Sequence, residues 1–271
     1  MPQVINTNIF ALNAQRNLNK TTASLQTAME RLSSGLRINR AKDDAAGLAI
    51  SDKMTAQIRG LNQAIRNVND GVGYVQTADG ALEEVTNSLQ RMRELAVQAS
   101  TGTVSSTGGA SSDKGKLNAE FQALEASIND ILTDTKFNGV AVFGASVTIQ
   151  SGTESGNTIA VDVSSPSLSG ITADISTAGG AQAALATLDA DLNAVADVRA
   201  SAGASQSRLE STARNLANVV ENVSAARSQI LDADFAMETA NLTRAQILQQ
   251  SGAAILAQAN VVPQNVLSLL R

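Results

Sequence analysis

One apolar stripe constrains this chain more than any other feature. Met54, Ile58, Leu61, Ile65, Val68, Val72 and Val75 are separated by alternating steps of four and three residues, and the alternation resumes at Ala78, Leu82, Val85, Leu89, Met92, Ala96 and Ala99. Such spacing puts all of these side chains on one face of an α-helix, and over many turns it is the seam of a coiled coil. Only between Val72 and Ala78 do two three-residue steps follow each other, a local stammer. Residues 45–100 are therefore predicted to form one helix of roughly 80 Å at 1.5 Å per residue, capped at its start by Asp43 or Asp44. A helix of that length implies a rod. The composition suits a long thin seam: 43% of residues are hydrophobic but only 2% aromatic, with no Trp, so Leu, Ile, Val and Ala supply the packing that aromatics give a compact core.

The same spacing recurs on both sides. Leu18, Leu25 and Leu32 form one row near the start, with Met29 and Leu36 as a second, fading backward through Ala11 and Val4. Gly35 interrupts the pattern, and 37–44 reads as a charged connector. Residues 100–115 are rich in Gly, Ser and Thr and form a loop. Leu117, Phe121, Leu124, Ile128 and Ile131 then give a shorter helix, an antiparallel hairpin partner for the long one. From 137 the period changes to two: Val140 and Val142, Val147 and Ile149, then Ile159, Val161 and Val163, a β-hairpin signature. Helical spacing returns at Leu185, Leu188, Leu192 and Val195, weakens over 199–206, and continues through Leu209, Leu216, Val223 and Ile230. After a break at 231–234, a last helix carries Leu248, Ile255, Val262 and Leu269 in one row and Gly252, Ala259 and Val266 in another. Pro263 is expected to kink that helix or mark its distal turn.

The expected fold is mainly α: an elongated antiparallel helical bundle with terminal helices and a small central β-hairpin region. Five segments follow: 1–44, an N-terminal amphipathic helix and connector; 45–136, helices of the rod; 137–180, a β-rich region; 181–231, the returning rod helix; 232–271, a C-terminal amphipathic helix.

Composition also excludes functions. With no Cys and no His, the chain lacks thiolate nucleophiles, disulfides, the usual zinc ligands and a neutral-pH imidazole base. No catalytic, cofactor-binding or metal-binding residues are expected, and no cofactor. The carboxylates at Asp43/Asp44, Glu83/Glu84 and Asp189/Asp191 lack the spacing of a calcium loop and read as solvated charge. Gly71-Val72-Gly73 lies inside a heptad helix, so it is not a dinucleotide loop. Residues 1–42 carry Arg16, Lys20, Arg31, Arg37, Arg40 and Lys42 against Glu30 alone. Without interleaved aromatics this basic arm does not point to nucleic acid. The first residues show no basic stretch followed by an apolar run, so no secretory signal peptide is expected, and no apolar run is long enough to insert in a membrane.

Two packings suit the amphipathic ends. One is an ordinary intramolecular bundle. The other is burial against further copies of the same chain, favoured because no compact core is available to receive both stripes. Burying each Leu is worth roughly 1.5–3 kcal/mol, enough when repeated to offset the ordering of free chain ends.

Longer motifs now add a resemblance. VINTN (4–8), ERLSSGLRIN (30–39), AKDDAAGLAI (41–50), NDGVGYVQTADGALEE (69–84) and LQRMRELAVQAS (89–100) lie toward one end; FNGV (137–140) precedes the β region; ILDADFAMETANLTRAQILQQSG (230–252) and AILAQANVVPQNVLSLLR (254–271) lie at the other. In this order they resemble bacterial flagellins over about 1–140 and 180–271. The resemblance implies a structural subunit that self-assembles through paired N- and C-terminal helices into the flagellar filament for swimming. The polymerisation residues would include Leu18, Leu25, Met29, Leu32, Leu36, Leu248, Ile255, Val262, Val266 and Leu269. It implies extracellular location in the flagellum, type III export without a cleaved signal peptide, an export chaperone at the C-terminal helix, and filament cap and hook-junction proteins as partners. It also implies a surface for Toll-like receptor 5 at Gln90, Arg91, Leu95 and Glu120. Arg91 and Leu95 are four apart and share a helix face, and Leu95 is expected off the core stripe as an exposed anchor; the alternative is a plain solvated helix flank.

Overall fold

The computed structural model describes residues 7–105 and 109–269, with side chains throughout except at Ser111 and 262–269. The elements in order are α1 (Ile9–Ser34), α2 (Ala45–Ser100), a 3-10 turn (Gly109–Ser111), α3 (Asp113–Asp134), β1 (Lys136–Phe137), β2 (Val140–Ala141), β3 (Ser146–Gln150), β4 (Thr158–Asp162), α4 (Ala178–Leu231) and α5 (Phe235–Leu269). They fall into two compact units. One holds residues 1–58 with 221–271, the other residues 59–220.

In the first unit the helix ends follow from local chemistry. Asn8 caps α1, its side chain accepting from Ala11 N at 3.1 Å. Gly35 ends the helix in the left-handed region (φ 70°), its N–H donating to Arg31 O, a conformation that a Cβ would strain. The N-cap of α2 is Asp44, whose Oδ1 accepts from Gly47 N at 2.8 Å. Asp43 instead closes the preceding turn, its Oδ2 accepting from the amides of Asn39 and Arg40. Asp234 caps α5 by accepting from Ala236 N and Met237 N. α5 continues through Pro263 to Leu269.

In the second unit, the heptad stripe of α2 is the core. Val68, Val75, Leu82, Val85, Leu89 and Met92 are fully buried, with Phe121 and Ile128 of α3 and Leu188 and Leu209 of α4. Arg93 Nε pairs with Asp189 Oδ1 at 2.7 Å and Arg199 Nε with Asp79 Oδ1 at 2.8 Å. As numbering falls along α2 it rises along α4, so the two helices are antiparallel. The weak stretch 199–206 does not interrupt α4. Small residues pack closely there, with Ala202 buried, so apolar periodicity fades while the helix continues.

The β region is two small antiparallel hairpins. β1 and β2 are joined by Asn138 and Gly139, both at positive φ, as a two-residue loop matched to strand twist requires. β3 pairs with β4 from Ser146↔Asp162 to Gln150↔Thr158. Their inward residues Val147, Ile149, Ile159 and Val161 join the helical core. Glycines of α2 clear the way: a Cβ on Gly71 would lie 3.1 Å from Ile149 Cδ1, and one on Gly60 would lie 2.5 Å from Thr153 Cγ2. Tyr74 ties this region to α2, donating from its hydroxyl to Val142 O at 2.8 Å, with its ring edge-on to Phe137. Residues 163–177 have no regular structure but are pinned: buried Asp191 accepts from Ser169 N and Gly170 N at 2.9 and 2.7 Å, and Asn118 accepts from Ile175 N. The strands end at Asp162 and α4 begins at Ala178, so the β content occupies only the first part of the segment expected at 137–180.

Candidate functional site: the paired terminal helices

α1 and α5 run antiparallel. Asn8 Nδ2 donates to Ala259 O at 2.8 Å, a Cβ on Gly252 would touch Leu18 Cδ1 at 3.4 Å, and Arg31 Nη1 lies 3.8 Å from Glu238 Oε2. The inward stripe of α1 is Ala11, Ala14, Leu18, Thr21, Leu25, Ala28 and Leu32, with Ala14, Leu25 and Ala28 buried. On α5 the matching buried positions are Glu238, Ala245 and Ala259. Small residues at 14, 28, 245 and 259 share this seam with Leu18, Leu25 and Leu32, and other large apolar side chains are left outside.

This sorts the expected polymerisation residues. Leu18, Leu25 and Leu32 face the pair. Met29 does not: it is 50% exposed, because the second inward row is Ala14, Thr21 and Ala28 rather than the Met29 row. Leu36 lies beyond the end of α1, half-buried and bridged to Asp232, because Gly35 stops the helix first. Leu248 and Ile255 are 51% and 61% exposed, on a flank of α5 outside the pair. The side chains of Val262, Val266 and Leu269 lie outside the described residues. Reasoning from large side chains alone missed Ile9, Phe10, Leu12, Met237 and Ile247, which are also exposed. It also missed the alanine row at 14, 28, 245 and 259; the seven-residue spacing of Ala14, Thr21 and Ala28 was the available signal. The terminal pair thus keeps two sets of apolar groups, one spent within the chain and one open to water.

Among its polar groups, Arg31 is the poorest satisfied. Its Nε is buried without a hydrogen-bond partner among the described residues, beside the mostly buried Glu238. Lys20, Ser24, Thr27, Asn241, Arg244 and Leu248 line the same open groove.

The expected receptor residues lie on α2 and α3. Gln90 is exposed, as are Arg91 and Glu120. Arg91 Nη2 donates to Glu120 Oε1 at 2.9 Å and Nη1 to Glu94 Oε2 at 2.9 Å; these hydrogen bonds raise the pKa of its guanidinium above the ordinary value. Leu95 is only 1% exposed and belongs to the core, which corrects its expected role as an exposed anchor. Where α2 is packed on two sides, by α3 and by α4, the buried arc widens from Ala96 to include position 95.

Comparison with known proteins bears on the whole chain. Residues 5–148 match the family model described as bacterial flagellin N-terminal helical region, and residues 185–270 match the bacterial flagellin C-terminal helical region. A flagellin of Halalkalibacterium halodurans is 49% identical over 99% of this chain and all of that protein. A flagellin of Xenorhabdus nematophila is 44% identical across the full length of both. The flagellar filament 33 kDa core protein of Treponema phagedenis is 40% identical over 99% of this chain and all of its own length. Among solved structures, Bacillus cereus flagellin aligns with a TM-score of 0.50 at 30% identity, over 56% of this chain and 88% of that one. Helical ends that pair through small residues and leave large apolar ones outside, together with these matches at both ends, place the chain in the bacterial flagellin family.

Proposed function

We infer that this chain is the structural subunit of a bacterial flagellar filament, an extracellular polymer of its own copies that serves swimming. The observation that carries this reading is the apolar surface left open on the terminal pair, chiefly Phe10, Met29, Leu248 and Ile255. Free in water, those side chains cost burial energy that assembly recovers. The role is mechanical: the chain has neither His nor Cys, and belongs to a family of structural proteins. No helix among the described residues is long and apolar enough to cross a membrane.

The finer reading follows the family. The subunit leaves the cell through the flagellar type III apparatus. An export chaperone covers the C-terminal helix until then, its groove taking the stripe of Leu248 and Ile255. Cap and hook-junction proteins meet the terminal helices at the two ends of the filament. Gln90, Arg91 and Glu120 form the exposed part of a face read by Toll-like receptor 5.

The test is assembly. Purified protein seeded with filament fragments in salt is imaged by electron microscopy, alongside truncations lacking 1–35 or 240–271. The intact chain is expected to form filaments and both truncations to remain folded but unassembled. Filaments of normal length from either truncation would refute the reading.

A further inference from the structure

The groove between α1 and α5 carries more positive charge than its own chain answers. It is open, with a volume of about 520 Å³; Lys20 and Arg31 line it from α1, and Glu238, Arg244 and Leu248 from α5. Three cations therefore face one carboxylate. That carboxylate is already engaged: Glu238 is mostly buried beside Arg31, its Oε2 3.8 Å from Nη1. The separation is longer than a hydrogen bond, and Arg31 Nε is buried without a partner among the described residues, so Glu238 has nothing to spare for a second cation. Lys20 and Arg244 are exposed. Among the described residues neither makes an ion pair, and Arg244 Nη1 donates to the neutral Asn241 Oδ1 at 3.5 Å. A carboxylate brought from outside would meet both through charge-assisted bonds, a guanidinium offering it a fork of donors.

The rest of the chain supplies that complement. Residues 43–231 carry 21 acidic side chains against 12 basic, whereas residues 1–42 carry six basic against one acidic. The groove also adjoins the apolar surface that the filament reading buries, since Leu248, 51% exposed, forms part of its lining. We propose that in the filament this groove receives a carboxylate of a neighbouring copy, met by Lys20 and Arg244, while Arg31 stays with Glu238. The inference rests on the filament reading above. Both helices build the groove, so it is complete wherever they pair, and pairing at the moment of assembly suffices. A groove on one copy that takes a different surface of the next is a heterologous contact, which propagates instead of closing on itself. Stripes of similar aliphatic side chains discriminate weakly between neighbouring registers, and a charged contact across the interface fixes one.

The test is a zero-length cross-link in filaments built from a mixture of nitrogen-15-labelled and unlabelled copies. A water-soluble carbodiimide joins an amine to a carboxylate in contact with it: the amide C–N bond forms, a carboxylate oxygen leaves on the reagent as a urea, and the amine gives up its proton. Peptide mass spectrometry is expected to find Lys20 joined to an Asp or Glu in mixed-isotope pairs, in filaments and not in monomer. Lys20→Arg keeps the charge and removes the reactive amine; it is expected to lose the cross-link and assemble like wild type. Lys20→Gln and Arg244→Gln are each expected to raise the critical concentration several-fold, and the double variant further, with the circular dichroism of the unit at 59–220 unchanged. Lys20 joined only to a carboxylate of its own copy, Glu238 included, overturns the proposal, as does a double variant that assembles at the wild-type concentration. A free anion in the groove is distinguished by comparing sulfate with chloride at equal ionic strength: a sulfate preference that the double variant loses, with no cross-link between copies, assigns the groove to the free anion and overturns the proposal. If wild-type protein forms no filaments, the filament reading fails and this proposal with it; filaments that show only cross-links within one copy leave that reading standing and overturn this proposal alone.

Discussion

Arg91 on α2 grips Glu120 on α3 with two of its nitrogens, Nε at 3.1 Å and Nη2 at 2.9 Å, both on Oε1. The fork expected to meet a receptor is thus already used within the subunit, and Leu95, one turn on, is in the core. The two residues can be separated experimentally. Arg91→Ala should leave stability nearly unchanged, as exposed pairs do, yet weaken binding to the Toll-like receptor 5 ectodomain about tenfold. Leu95→Ala should cost about 2–5 kcal/mol of stability through the cavity it leaves. Chemical denaturation and binding to monomer would be compared. Unchanged binding by Arg91→Ala removes the receptor role, and a stable Leu95→Ala contradicts its burial.

Leu248 and Ile255 should matter to the polymer and not to the fold of the subunit. Replacing either with Ser forgoes roughly 1.5–3 kcal/mol of burial on assembly, so the critical concentration should rise at least about tenfold. Thermal unfolding of the unit at 59–220 should be unmoved. Sedimentation of filaments across a concentration series checks the first expectation, and circular dichroism the second.

Tyr74 predicts an alkaline transition. Burial, with the nearby Asp162 charge as a smaller cause, pushes its phenol above the ordinary value of 10.0. A group whose folded pKa is raised contributes stability that is fully present below the unfolded pKa and lost as pH rises through the folded one. The fold should therefore weaken above about pH 10. Tyr74→Phe should lose about 0.5–1.5 kcal/mol at neutral pH for the bond to Val142 O and lessen the alkaline sensitivity. Denaturation midpoints for both proteins between neutral pH and about pH 11 would show an equal alkaline loss if the assignment is wrong.

Asp191 should be needed for the irregular segment 163–177. Asp191→Ala leaves the amides of Ser169 and Gly170 without their acceptor, at about 1–3 kcal/mol for each unpaired buried group. Hydrogen exchange at residues 168–176 should accelerate more than exchange at Val85 or Leu89. Uniform acceleration across the unit would point to a general loss of packing instead.

The sequence by itself determined the helices, because periodicity and capping are local. The stripe from Met54 to Ala99 and the acidic pair before it placed α2, and the switch to period two at Val140 placed the hairpins. It also carried the family, because the terminal motifs are long and ordered. What it left open was which face each residue presents, since that depends on how many neighbours a helix has. Met29, Leu248 and Ile255 occupy heptad positions as regular as those of Leu18 and Leu25, yet they stay outside because alanines on α1 and α5 allow a closer approach along another line. Leu95 flanks the stripe in one dimension, but a second neighbouring helix covers it. The bond from Arg37 to Ile230 joins residues 193 positions apart, and no local pattern encodes it. Only the tertiary structure decides such pairings, because a backbone carbonyl at a helix end takes whichever donor the fold brings to it.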